Sequence, residues 1–326
     1  MPRLLSHVRM WMFAVVVAAA GGVSPAAAAT PAAARAAVDT IPVGDNPLGV
    51  AVSPLGHRVY VANAGGDSVS VINRSTSSVI ATVPVGDSPS GVAVGGLGTL
   101  LYVTNQGSDS VSVISTITNT VIATIPVGDT PRGVVVGGLG TRLYVVNAGS
   151  DTVSVIDALT NREVTTVPVG DTPFGAATSR DGTRLYVTNT SSDTVSVVNT
   201  LTNTVIATIP VGDNPLGMAM SRDGTRLYAG NALGNSVSVI STITNSVVTT
   251  IQAPDGPGAL AVSPIEKRLY VVHGGADTVT VVNTDTYEVV RTVPVGDNPA
   301  GVAVSPDGKN VYVTSQNNDT VTAITT

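Results

Sequence analysis

The chain has 326 residues, 43% hydrophobic, 12% charged and only 3% aromatic, and it contains no cysteine. This excludes disulfides, thiolate nucleophiles and cysteine metal sites, and it argues against a disordered chain. With a formal net charge of −6 and an isoelectric point near 4.9, no nucleic-acid partner is expected, since that requires a basic surface bearing aromatic side chains.

The first segment has the layout of an export signal. Arg3, His7 and Arg9 form a weakly basic start, Met10 to Ala20 is apolar, and Ala27-Ala28-Ala29 offers a small-residue cleavage site. The apolar run falls well short of the ~20 residues a bilayer span requires. The expected division is a signal peptide over 1–29, a disordered lead over 30–35 and a single domain over 36–326. No membrane span is expected in the mature chain, and the expected location is secreted or cell-wall-associated.

The remainder of the chain is a repeat. Tyr60, Tyr102, Tyr144, Tyr186, Tyr228, Tyr270 and Tyr312 recur every 42 residues, and a fixed period of about 40 marks a solenoid or propeller. Pro84 to Ile125 is one full unit. Within it, Gly91–Val94, Leu100–Thr104, Ser110–Ile114 and Thr120–Ile125 alternate apolar and polar residues and are rich in β-branched side chains, which predicts four strands, A to D. Gly-Gly-Leu-Gly or Arg-Asp-Gly links strand A to strand B, supplying the positive φ of a tight hairpin. Small residues such as Ala51, Ala93 and Ala177 are expected where strand A crowds the axis. The last unit stops after strand C, and Ala37 to Ile41 at the start stands where a strand D should. The expected fold is an all-β, seven-bladed β-propeller with four antiparallel strands per blade, its N-terminal strand completing the last blade.

The motif at the end of strand B carries a family likeness. Tyr102-Val103-Thr104-Asn105 and Tyr186-Val187-Thr188-Asn189, with Tyr60-Val61-Ala62-Asn63 and Tyr144-Val145-Val146-Asn147 as variants, resemble the YVTN-family β-propeller repeats. The likeness covers nearly all of residues 38–326. It implies an exported, surface-layer-like protein serving as a binding or scaffold module. Sugar lactonases and streptogramin lyases are related seven-bladed propellers, so it also implies an alternative: a lyase or lactone hydrolase with its site at the mouth of the channel.

Strand alternation puts the D–A and B–C loops at one end of every blade, here the top, and the A–B and C–D turns at the bottom. The top loops then hold thirteen Asp and one base, Arg132; the bottom turns hold eleven bases and eight acids. Weak cation binding at the top follows from the summed field, although each Asp singly is expected to bond neighbouring backbone N–H groups in a turn. All the top acids sit at repeated positions, so none has the singular placing of a general acid or base. His57 and His273 fall on opposite faces and cannot share a metal; no metal and no cofactor are expected.

A binding site on a repeated scaffold should lie where the repeat breaks. The residue after each Asp-x-Pro varies: Leu48, Ser90, Arg132, Phe174, Leu216, Gly258 and Ala300. It is expected at the top mouth of the channel. Blade six departs most, with Gln252-Ala253-Pro254-Asp255 in place of Pro-Val-Gly-Asp and His273 in place of Asn. The expected ligand site comprises Leu48, Arg132, Phe174, Leu216 and His273. Arg132 takes an anionic group, Phe174 and Leu216 an apolar one, and His273 exchanges a proton; in the enzymatic alternative His273 is the catalytic residue. The expected partner is a small molecule, a peptide or a cell-wall polymer, bound by a monomer.

Overall fold

The computed structural model describes residues 38–137 and 140–326. The expected signal segment and lead lie outside these residues. Each repeat unit forms one four-stranded antiparallel sheet, and there are seven. The chain is a seven-bladed β-propeller. In blade two, strands A to D run Pro89–Val94, Leu100–Asn105, Ser110–Ser115 and Thr120–Pro126. Strand A starts earlier than its alternation suggests, because Pro89 pairs with Asn105 before a bulge shifts the register ahead of Val92.

The turns are set by residue type. Gly98 in the A–B turn, Asp109 in the B–C turn and Asn119 in the C–D turn have φ of 73°, 45° and 55°. Gly, Asp and Asn enter this left-handed region at least cost and hold most of these turn positions around the ring, with Ser77 and Tyr287 as exceptions in C–D turns.

Alternation also sets the core. Tyr60, Val69, Val71 and Val83 of blade one pack against Leu101, Val103 and Ile114 of blade two. Each unit therefore offers its tyrosine to the next blade and its leucine or valine to the previous one, and hydrophobic burial acts between blades rather than within them. All seven repeat tyrosines are buried.

Closure follows the same rule. Val38–Pro42 pairs antiparallel with Thr320–Thr325, Ile41 opposite Val321, and Ile41 enters the cluster joining blade seven to blade one. At the bottom, Arg74 of blade one bonds Asp307 of blade seven at 2.7 Å and Asn310 Oδ1 at 2.7 Å. Partial burial pushes the Asp307 carboxyl up, but the Ser305 hydroxyl, Arg74 and the Lys309 N–H outweigh it and hold the group at about 2.

The axis differs from the expectation of crowded alanines. Ala93 lies opposite Tyr102 and packs between blades. The closest approach is made by the glycine two residues earlier. A Cβ on Gly91 would stand 2.2 Å from the Arg132 carbonyl oxygen of the next blade, and one on Gly49 would stand 2.2 Å from that of Ser90. No side chain fits there, because the obstacle is backbone. Blade six alone carries alanine at this place, Ala259.

The strand-B motif now has a physical account. Thr104 Oγ1 donates to the Arg132 carbonyl oxygen (2.7 Å) and accepts the Gly91 N–H (2.7 Å), fixing one inner strand to the next. Thr188 and Thr314 do the same toward Leu216 and Leu48. Asn105 is fully buried, and its Nδ2 donates to Ser110 Oγ and Ser112 Oγ at 3.0 Å. The Pro-Val-Gly-Asp glycine stacks on this amide, where a Cβ on Gly86 would come within 2.7 Å of Nδ2.

Candidate functional site

The seven variable positions meet. Leu48, Ser90, Arg132, Phe174, Leu216, Gly258 and Ala300 all line one cavity of about 560 Å³ at the top of the inner strands. Each is the second residue of strand A; in six blades its carbonyl lies against the preceding blade's inner glycine, and in three it also accepts from the preceding blade's threonine. The chain thus holds Leu48, Arg132 and Leu216 rigidly by their carbonyls while leaving their side chains free to vary.

Arg132 gives the mouth its chemistry. Its guanidinium carbon lies 5.2 Å from the centroid of the Phe174 ring in the adjacent blade, a cation–π contact worth ~0.5–2 kcal/mol. Its Nε is buried without a hydrogen-bond partner. Burial pulls the guanidinium down from its ordinary value, yet an arginine stays charged in any protein. A held, charged donor beside an aromatic face and two leucines can take a carboxylate attached to an apolar body.

The acids around it divide into two kinds. Asp67, Asp109, Asp151, Asp193, Asp277 and Asp319 each accept the N–H of the following D–A loop at 2.8 Å, as Ser88 N to Asp67 Oδ1. These are turn carboxylates, as expected. The D–A loop aspartates, such as Asp87 and Asp129, are exposed on the top loops, against the B–C loops and outside the cavity lining. Among the described residues, no three His, Asp or Glu side chains gather to hold a metal ion.

His273 is not at the mouth. It lines a separate cavity of about 220 Å³ with Pro254, Thr278, Thr280 and Thr292, between strands of blade six and the loop leading into it. The ring is 3% exposed, and its Nδ1 donates to the Pro254 carbonyl oxygen at 2.7 Å. Nε2 is buried without a partner. Burial lowers the imidazole from its ordinary value, partly offset by the bond to Pro254 and the charge of Asp255. The reason for the substitution is local. In blade four, Asn189 Oδ1 accepts the N–H of Gly170, whereas the Oδ1 atoms of Asn63, Asn105, Asn147 and Asn231 are buried without a partner. In blade six, Pro254 takes that glycine's place and has no N–H to give, and the histidine that replaces the asparagine bonds the same residue's carbonyl instead. The two departures bond each other at the same spacing of 19 residues that separates Gly170 from Asn189.

A third cavity, of about 880 Å³, opens among the A–B turns at the bottom, lined by Gly95, Gly137, Met220, Arg180 and Arg222. Both arginines are exposed there; Tyr102 also lines the cavity but is buried in the core between blades, so the cavity lacks the convergence seen at the mouth.

Comparison with known proteins agrees on architecture. A family model described as YNCE-like beta-propeller matches residues 219–307, from strand A of blade five into blade seven. The chain is similar to a YNCE-like β-propeller. A solved structure titled hydrazine synthase, from Kuenenia stuttgartiensis, is similar with 26% identity and a TM-score of 0.81, over 86% of this chain and 96% of that one. No curated protein sequence matches.

Proposed function

We propose that this propeller is a binding module whose top mouth takes a small zwitterionic or peptidic ligand with an apolar side chain, and that it works outside the cytoplasm. The observation that carries the reading is Arg132, charged, stacked on Phe174 and unpartnered at Nε inside the mouth. A purely anionic ligand would be repelled by the ring of exposed aspartates around it. A ligand with a carboxylate for Arg132 and an ammonium for that ring satisfies both fields, and Phe174, Leu48 and Leu216 offer its side chain apolar surface. The export-signal pattern of residues 1–29 supports the location. The matched solved structure is titled as an enzyme, but the catalytic alternative loses its acid–base residue at the mouth, because His273 is committed to Pro254.

The test is titration calorimetry with leucyl-leucine and its C-terminal amide. The free acid is expected to bind and the amide to bind about tenfold more weakly, a loss of about 1.4 kcal/mol. Arg132→Met should abolish that discrimination. Equal binding of acid and amide by the unaltered chain, or no binding by either, would defeat the reading.

A further inference from the structure

The bottom face carries a feature that the mouth does not explain. Leu55 and Leu97 tip A–B turns, and Ile117, Leu159, Leu201 and Ile243 tip C–D turns; all six are 74–92% exposed. The two kinds of turn share one end of the disc. Thr116 of a C–D turn bonds the Thr99 and Gly98 carbonyls of its A–B turn, and Gly98 packs beside Pro54 of the neighbouring blade. In the top loops, among the described residues, the one large apolar side chain comparably exposed is Leu233. Scattered exposed leucines are ordinary; their segregation to one face is not.

The charges segregate with them. The bottom turns carry eleven bases against eight acids; Arg162, Arg180, Arg222 and Lys309 are exposed there beside the exposed Glu163, Asp181, Asp223 and Glu288, and none of these is in the four ion pairs among the described residues, so the face keeps a small positive excess. The top is ringed by aspartate.

From this we infer that the bottom face docks on an anionic lipid surface. The apolar tips stand on separate turns with Thr and Asn between them, so they form no continuous patch of the kind a folded protein partner covers. A rigid partner would have to supply a socket for each tip. A bilayer interface accepts all of them at once, since the apolar groups enter the headgroup boundary while the free arginines and lysine meet anionic headgroups. The acidic top is repelled by the same surface, so docking leaves the mouth turned to water. Recruitment needs no spanning segment and is independent of what the mouth binds.

The absence of cysteine allows a direct test in the full chain. Leu201→Cys on the bottom and Leu233→Cys on the top are each labelled with an environment-sensitive fluorophore. Vesicles of phosphatidylcholine with phosphatidylglycerol are expected to shift the label at position 201 to the blue and leave that at 233 in water. Vesicles of phosphatidylcholine alone should give a much smaller shift. Replacing Leu97, Leu159 and Ile243 together by serine, at exposed turns where melting should not change, should weaken vesicle binding by about tenfold or more. The inference is overturned if both labels stay aqueous, if the label at 233 is the one buried, if the two vesicle types act alike, or if the triple variant binds as before. Sedimentation with both labels aqueous would mean tethering through another segment.

Discussion

Blade two and blade six build the same connection from different parts. In blade two, Asn105 holds Ser110 and Ser112, Gly86 stacks on its amide, and Gly91 lies against the next blade's backbone. In blade six, His273 and Pro254 replace the first pair and Ala259 the inner glycine, and the sheet closes as well. The comparison shows that a break in a repeat is not in itself a sign of function. Two substitutions that repair each other belong to the scaffold. A substitution with no repair, such as Arg132 beside Phe174, is the better guide to a site.

The comparison breaks most sharply at the inner glycine. Gly91→Ala sets a methyl group against a backbone carbonyl and is expected to cost roughly 2–3 kcal/mol or more in denaturant unfolding, whereas Ala259→Gly should cost under about 1 kcal/mol. Equal effects would show that the axis is no tighter in blade two than in blade six.

The His273–Pro254 pair gives a smaller effect with a clear sign. His273→Asn alone leaves the Pro254 carbonyl without its donor and should cost about 1–3 kcal/mol. Adding Pro254→Gly should restore part of that, so the two changes are expected to couple by about 0.5–3 kcal/mol in a double-mutant cycle. The histidine also makes stability depend on pH. Its folded value is lowered, so as pH falls the unfolded chain takes up the proton first. Its contribution is complete above about 6.5 and is lost as pH falls below that. The doubly substituted chain should lack this acid-side loss, which melting curves between neutral and mildly acid pH will show.

The weakest connection is the threonine. Thr104→Val should cost about 1 kcal/mol by losing its two bonds between inner strands, while Val272→Thr in blade six gains no comparable stability if its carbonyl partner is not placed to receive it. Thermal unfolding of the two variants decides this.

Most of the fold was legible, for reasons visible in particular residues. The 42-residue spacing of the tyrosines and the strand-D pattern before Pro42 indicated seven sheets and their closure, because burial between blades imposes the same alternation on every unit. The gathering of Leu48, Arg132, Phe174 and Leu216 followed from one variable position per repeat. The rest turned on backbone contacts. Ala93 looked like the axis residue because small size is visible in a sequence; that Gly91 faces a carbonyl 2.2 Å from its missing Cβ is not. His273 looked functional because a lone histidine draws notice, while its partner is a carbonyl that any residue carries. The exposed tips at Leu97 and Leu201 are unremarkable in sequence, and only the shared face of their turns makes them a group.

The borrowed strand in blade seven has a consequence for how the molecule is made. Every other sheet can form from one contiguous stretch as it emerges. Val38–Pro42 pairs with Thr320–Thr325, at the far end of the propeller's sequence. Val38–Pro42 therefore waits without its partner until residues 320–325 have been made, and the ring cannot lock before then. Until both strands are present, the sheets form an unlocked series whose closure depends on a contact between residues nearly the whole propeller apart in sequence.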